Sequence, residues 1–317
     1  MNTPIIQTKN LKKYFKTPKG DLHAVDGVNV SINKGETLGV VGESGCGKST
    51  LGRVLLRLIE PTSGSIYFEN SDITNYDKNQ MLEMRKNMQI IFQDPYASLN
   101  PRMTISDIIA EPIKVCKTIT NKYEIEEKVY ELMETVGLAE RLINSYPHEL
   151  DGGRRQRVGI ARALSLNPKF IVCDEPVSSL DVSIQAQILN LMMDLQDELG
   201  LTYMFITHDL SVVKHISKEI AVMYLGQCVE KATSDELFNN PMHPYTQALL
   251  DSIPAANLSS KGNKKRIIKG EVTSPINPKP GCRFYARCPK AKELCLSPDL
   301  HLKQINDNHH VSCILYN

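Results

Sequence analysis

Nine consecutive residues, Gly42-Glu43-Ser44-Gly45-Cys46-Gly47-Lys48-Ser49-Thr50, have the types and spacing to grip a polyphosphate. Gly42, Gly45 and Gly47 let the backbone turn tightly, so that several N–H groups point inward. Lys48 adds a charge that reaches the outer phosphates, and the Ser49 hydroxyl is placed to ligate Mg²⁺. A second group is Asp174-Glu175, at the end of the apolar run Phe170–Cys173. Acidic residues at a strand's C-terminal tip stand at the ligand-binding edge of an open α/β sheet. Asp174 there can hold Mg²⁺ through water, and Glu175 can orient or deprotonate an attacking water. His208 ends the next apolar run in the same way. A third group, Asp151-Gly152-Gly153-Arg154, sets two glycines before a helical pattern, which again makes an anion site. It lies about a hundred residues from the first. One nucleotide does not need both, so the second is expected to serve a nucleotide bound to another chain.

The surrounding pattern supplies elements to position these groups. Thr37–Val41 reads as an apolar strand entering the glycine loop, and Leu51–Ile59 as the helix leaving it, with its positive end toward the anion. Residues 4–32 and Ser65–Phe68 read as β-rich, and Gln89–Gln93 as a short strand stopped at Asp94-Pro95. From Thr104 to Leu166 the period becomes helical, with a helix expected over Val158–Leu166. Phe170–Cys173 is apolar on every residue, as in the middle of a parallel sheet, and Tyr203–Thr207 reads as the next buried strand. The amphipathic stretch Ser183–Leu199 lies between them. This alternation implies an α/β parallel sheet interrupted by a helical insertion. Near residue 240 the pattern breaks, and Tyr245–Ser252 is the last helical stretch. The basic run Lys261, Lys264, Lys265, Arg266 and Lys269 reads as a solvated linker, with contact to anionic headgroups as the alternative.

Composition bounds the reading. The chain has 317 residues, enough for about two domains, with 41% hydrophobic and 23% charged residues. A net charge of +1 gives no electrostatic reason to expect nucleic acid as the partner. No apolar run approaches the roughly 20 residues a membrane helix needs. The start of the chain lacks signal-peptide character, and a cytosolic protein, recruited to any membrane by other chains, is expected.

Taken together, these motifs resemble an ABC-transporter nucleotide-binding subunit. The matching residues are Gly42–Thr50 (Walker A), Gln93 (Q-loop), Leu150–Gln156 (signature), Phe170–Glu175 (Walker B with the catalytic Glu175), Asp181 (D-loop) and His208 (switch), in the family's order. The stretches Gln93–Arg102 and His243–Thr246 resemble more narrowly the oligopeptide/dipeptide importer ATPases, of the F-type subunit. The resemblance implies a P-loop NTPase (RecA-like) core, with an antiparallel β-subdomain and a helical subdomain over about 95–165. It sets an ABC domain over 1–240 and a small Cys-containing C-terminal extension over 241–317. It implies ATP and Mg²⁺, with Ser49, Gln93 and Asp174 toward the metal and Phe15 (or Tyr14) stacked on adenine. Implied partners are a D-type ATPase in a head-to-tail dimer, two membrane permeases and an extracytoplasmic peptide-binding protein. The activity implied is ATP hydrolysis driving peptide import at the cytoplasmic face of the cell membrane. Two other readings stay open: a regulatory subunit with little hydrolysis of its own, and an importer for nickel or sugars. An ABC protein of translation or DNA repair would carry tandem cassettes or a coiled coil, and this chain has one cassette and no heptads.

The chain departs from the family at the signature, usually Leu-Ser-Gly-Gly-Gln. An ionised Asp151 accepts hydrogen bonds where serine donates one to the γ-phosphate. A carboxylate about 4 Å from a phosphate charge costs on the order of 4 kcal/mol at an effective dielectric near 20. Arg154 offsets some of that by pairing with Asp151 or with the phosphate. An asymmetric heterodimer follows, with one altered ATP site.

Cys282, Cys288, Cys295 and Cys313 stand as C-x5-C-x6-C-x17-C. Four thiolates suit an Fe–S cluster or tetrahedral Zn²⁺, and the spacing lacks the C-x2-C knuckle of most zinc sites. Gly281–Phe284 and Arg287–Pro289 resemble the C-terminal extension of peptide-importer ATPases, some of which carry a [4Fe–4S] cluster. That cluster is the expectation, with unligated or disulfide-bonded cysteines as the alternative.

Overall fold

Runs of five residues with no exposed member make the innermost strands. A computed structural model describes residues 4–253, 270, 273–297 and 300–316. From the start of the chain come β1 (Pro4–Thr17), β2 (Gly20–Val28), β3 (Ser31–Asn33), β4 (Thr37–Val41), α1 (Lys48–Leu55), β5 (Ser63–Phe68) and β6 (Ser71–Asp72). The middle holds α2 (Lys78–Asn87), β7 (Met88–Ile91), α3 (Pro95–Ser98), α4 (Ile105–Cys116), α5 (Lys122–Thr135), α6 (Gly152–Leu164), β8 (Phe170–Asp174), α7 (Val182–Leu199) and β9 (Thr202–Ile206). The remainder holds α8 (Leu210–Ile216), β10 (Glu219–Tyr224), β11 (Gln227–Thr233), α9 (Ser234–Asn239), α10 (Pro244–Asp251), β12 (Lys303–Asn306) and β13 (His309–Val311). The basic run at 261–269 lies outside the described residues.

Two compact units divide these elements. One comprises Met1–Ile5, Ile32–Glu36 and Asn75–Ile206, the other Ile6–Ser31, Thr37–Thr74 and Thr207–Asn317. In the first, β7, β8 and β9 run parallel, with Ile91 opposite Cys173 and Asp174 opposite Ile206. Every residue of β8 and β9 is buried, which is why apolar side chains dominate both, from Phe170 to Cys173 and from Tyr203 to Ile206. Helices α4, α5 and α6 pack on one another through Ile105, Ile109, Ile113, Leu132, Met133 and Ile160, all nearly inaccessible. This is the helical insertion expected between the strands.

In the second unit, β2, β1, β5 and β6 form an antiparallel sheet. A further run pairs β4 with β10 in parallel, then β10, β11, β13 and β12 antiparallel. Its core joins Val41, Ile220, Tyr224, Leu237, Tyr245 and Phe284, so side chains from both ends of the unit bury one another.

Two helix starts differ from the sequence expectation. Helix α1 begins at Lys48 rather than Leu51, inside the glycine loop itself. Helix α6 begins at Gly152 rather than Val158, because the Asp151 side chain caps it by accepting the Arg154 N–H at 2.8 Å. The glycines of that stretch are the helix's first turn, not a loop before it. Among the described residues, no helix is long and apolar enough to cross a membrane.

Candidate active site

In the second unit, β4 delivers the chain into the loop 42–47 and α1 carries it out. Gly42, Gly45 and Gly47 have φ of 152°, 76° and 104°. At Gly47 a Cβ would meet the Ala24 carbonyl oxygen at 2.0 Å, and at Gly42 the Met223 carbonyl oxygen at 2.2 Å. Only glycine fits either position, because of the backbone packed against it as well as the dihedral. Gly47 is also the N-cap of α1, and no side chain caps that helix end. A helix end of this kind can turn its first N–H groups to an anion. The Lys48 ammonium folds back over the loop, donating to the carbonyl oxygens of Gly42 at 2.8 Å and Glu43 at 3.0 Å, and is 4% exposed. Burial pushes the Cys46 thiol up, against the pull of Lys48. Ser49 and Thr50 are half-buried in the first turn of α1, and Ser44 is exposed on the loop.

The adenine-side candidates lie on β1. Tyr14 is already engaged: its ring stacks on His23 at 3.8 Å and its hydroxyl donates to Asp26 at 2.5 Å. Phe15, opposite Leu22 in the β1–β2 ladder, is half-buried with the Lys13 ammonium 5.0 Å from its ring centre. His208 is exposed in the turn before α8, and Asp209 beside it caps that helix by accepting the Ser211 N–H.

In the first unit, Asp174 ends β8 and is 1% exposed. Glu175 follows with φ 49°, a left-handed conformation that is uncommon for a residue with a side chain. Its N–H donates to the Ile206 carbonyl at 2.9 Å, and its own carbonyl accepts from the Ser178 hydroxyl at 3.1 Å. Those bonds hold the backbone while the carboxylate accepts from the Gln93 amide at 2.9 Å. The structure thus brings together Gln93 and Glu175, 82 positions apart in the chain. Asp181 caps α7 by accepting the Ile184 N–H at 3.0 Å. Asp151 and Arg154 are both exposed, with Arg154 Nε 3.5 Å from Asp151 Oδ2. Gly153 is buried, and a Cβ there would press on Ile184 at 2.6 Å.

The four C-terminal cysteines lie near one another. Cys282, Cys288, Cys295 and Cys313 are close enough to influence one another, and burial pushes the Cys282 thiol up to about 12, its three neighbours adding to the effect. All eight cysteines are free thiols. Among the described residues, however, no group of three or more His, Cys, Asp or Glu side chains converges to hold a metal ion. The expected [4Fe–4S] cluster therefore draws no support from the described residues.

One set of residues at the phosphate loop escaped the sequence reading. Arg287 reaches Glu43 with both guanidinium nitrogens, and the Tyr245 hydroxyl accepts the Glu43 N–H at 2.8 Å. Nothing local in sequence marks either contact. His243-Pro244 at the start of α10 is the one signal that could have drawn attention to Tyr245.

Comparison with known proteins gives these features a class. The ABC transporter family model matches residues 25–178, and the model of the oligopeptide/dipeptide transporter C-terminal region matches 229–295. Among solved structures, the dimeric cassette MJ0796 bound to ADP and Pi superposes with a TM-score of 0.67 at 29% identity, over 72% of this chain and 98% of that one. CbiO1 from Clostridium perfringens, part of a cbiONQ complex, gives 0.67 at 29% over 75% and 92%. Fold and motifs define an ABC-type ATPase. The oligopeptide transport ATP-binding protein AppF of Bacillus subtilis is 52% identical over 98% of this chain and 97% of its own. The dipeptide transport ATP-binding protein DppF of Haemophilus influenzae is 50% identical over 98% and 97%. OppF of Salmonella typhimurium, an oligopeptide transport ATP-binding protein, is 50% identical over 96% and 92%. The chain belongs to this family of oligopeptide and dipeptide transport ATP-binding proteins.

Proposed function

We propose that the chain binds and hydrolyses ATP to drive import of peptides through membrane permeases, sitting at the cytoplasmic face of the membrane without entering it. The observation that carries the reading is the loop at 42–47: three left-handed glycines, a helix end that no side chain caps, and a buried lysine folded over it. Those features suit a triphosphate. The near full-length likeness to peptide-transport ATP-binding proteins supports peptides as the cargo class.

In this reading Lys48 and the loop N–H groups hold the β- and γ-phosphates, and Phe15 stacks on the base. Ser49, Gln93 and Asp174 offer hydroxyl, amide and carboxylate oxygens, the hard donors that suit Mg²⁺, which when bound would neutralise phosphate charge. Glu175 accepts a proton from the attacking water, held for that role by Gln93 and by its constrained backbone. His208 contacts the γ-phosphate, and Asp181 serves the dimer interface. The permeases, a peptide-binding protein outside the membrane and a second, D-type ATPase complete the assembly.

The signature end, Asp151 to Arg154, faces the partner's ATP. Its carboxylate already takes the helix N–H that a phosphate would use, and this favours an asymmetric pair in which the site completed by Asp151 turns over slowly. The test is peptide-stimulated ATP hydrolysis by the reconstituted complex. The parent should respond to peptide, and Glu175→Gln should hold ATP yet lose roughly a hundred-fold or more in turnover. A Glu175→Gln complex that hydrolyses ATP like the parent would remove Glu175 from the mechanism.

A further inference from the structure

Glu43 poses an electrostatic problem. It is the second residue of the phosphate loop, and a carboxylate there repels the anion that the loop is built to hold. The C-terminal region answers it. Arg287 donates from one terminal nitrogen to Glu43 Oε2 at 2.7 Å and from the other to Oε1 at 3.0 Å, a two-pronged pair. The arginine side chain is 7% exposed and the glutamate 26%, so water screens the pair only in part. Arg287 also donates to the Tyr224 hydroxyl at 3.2 Å. Tyr224, Tyr245 and Phe284 pack edge-on and tilted, with ring centres 4.7–5.3 Å apart. That cluster seats the Tyr245 hydroxyl on the Glu43 N–H. Glu43 is therefore held at both its backbone and its carboxylate by residues more than 180 positions downstream.

A second arginine of the same turn works on the base side. Arg283 pairs with Asp26, which also accepts from Tyr14 and contacts His23 at 3.1 Å. Burial disfavours the Asp26 carboxylate, but the bonds from Tyr14 and His23 and the Arg283 charge outweigh it and hold its carboxyl below the usual range. The backbone joins in, His23 N–H donating to the Pro275 carbonyl at 3.0 Å and Asn277 N–H to the Asp21 carbonyl at 2.9 Å.

We propose that the C-terminal region is part of the nucleotide grip, and that Arg287 is a positioning residue that neutralises Glu43 and holds the phosphate loop open to a triphosphate. The inference rests on the reading of 42–50 as an ATP site. It gives the region matched at 229–295 a task within this chain, separate from any contact with a permease.

The test is titration of the full chain with Mg-ATP by calorimetry, with ATP turnover of the assembled complex alongside. Arg287→Ala should weaken ATP on the order of ten-fold and raise KM with kcat little changed, as expected for loss of binding common to ground and transition states. Adding Glu43→Gln to Arg287→Ala should recover most of that loss, since the carboxylate left without its counter-charge is then gone. If Arg287→Ala loses its native circular dichroism, Arg287→Gln, which better fills the same space, replaces it in both arms. An arginine variant that binds ATP like the parent overturns the inference, and so does a loss that Glu43→Gln fails to recover, which would mark Arg287 as packing alone. A parent chain that binds no ATP instead overturns the reading of the loop, and the inference with it.

Discussion

Two glycine-bearing turns enter helices in this chain, and they treat the helix's unpaired N–H groups in opposite ways. At α1 the N-cap is Gly47, in a left-handed conformation, with no side chain of its own to offer the helix end. At α6 the N-cap is Asp151 in extended conformation, and its carboxylate accepts the Arg154 N–H. The first end keeps its partial positive charge available to an anion. The second is already partly satisfied, and it presents a negative charge where the family usually has a serine. A glycine turn before a helix is thus an insufficient description of an anion site. What decides is which group holds the helix's first N–H groups when no anion is present.

The largest expected effect breaks the comparison on the α1 side. Lys48→Ala removes the ammonium folded over the loop, and with it charge-assisted bonds to phosphate. ATP affinity of the full chain should fall roughly a hundred-fold, as calorimetry would read. Gly42 and Gly47 stay packed against the Met223 and Ala24 carbonyls in the variant, so the loop should keep much of its shape. Unchanged affinity would mean that the cradle's N–H groups suffice, and the contrast with α6 would then lose its charge component.

How much of this could be read from residues alone depends on how far the deciding contact lies along the chain. Strand β4 spans Thr37–Val41 as expected, because a short run carrying Leu38, Val40 and Val41 between a turn and a glycine loop permits little else. The spacing of Lys48, Gln93, Asp174 and Glu175 was legible for the same local reason. The start of α6 was not, although an aspartate before two glycines is a capping signal in its own right. The outermost strand, β12, is exposed at every position and has no apolar alternation to announce it. The Arg287–Glu43 pair spans 244 positions, and an arginine in a loop carries no sign of its partner. The cysteines show a different limit. Their spacing suggested a ligand set, but spacing does not say whether four thiols share a focus.

A smaller effect is expected from converting the α6 end toward the family pattern. Asp151→Ser with Arg154→Gln should raise ATP turnover of the assembled complex. At 4 Å and an effective dielectric near 20 the carboxylate would cost on the order of 4 kcal/mol. The Asp151 side chain is 61% exposed, however, and Arg154 stands beside it, so solvent and counter-charge screen most of that. About 1 kcal/mol, or roughly five-fold in rate, is the expected remainder. An unchanged rate would end the case for a slow second site.

The smallest effect separates two properties of Asp151, the cap it gives its own helix and the charge it would present to a partner's phosphate in the proposed dimer. Asp151→Ala removes both the cap and the charge, whereas Asp151→Ser removes the charge and retains a capping oxygen. Without nucleotide only the cap matters. Asp151→Ala should then cost about 1 kcal/mol, a shift of roughly 2–4 °C in the melting of a unit of this size, while Asp151→Ser stays close to the parent. Thermal unfolding of the isolated chain followed by circular dichroism reads the difference. Should Asp151→Ala melt with the parent, the carboxylate is not committed to the Arg154 N–H in solution. The α6 end would then be as open as the α1 end, and the charge of Asp151, rather than its hold on the helix, would be the whole of the contrast.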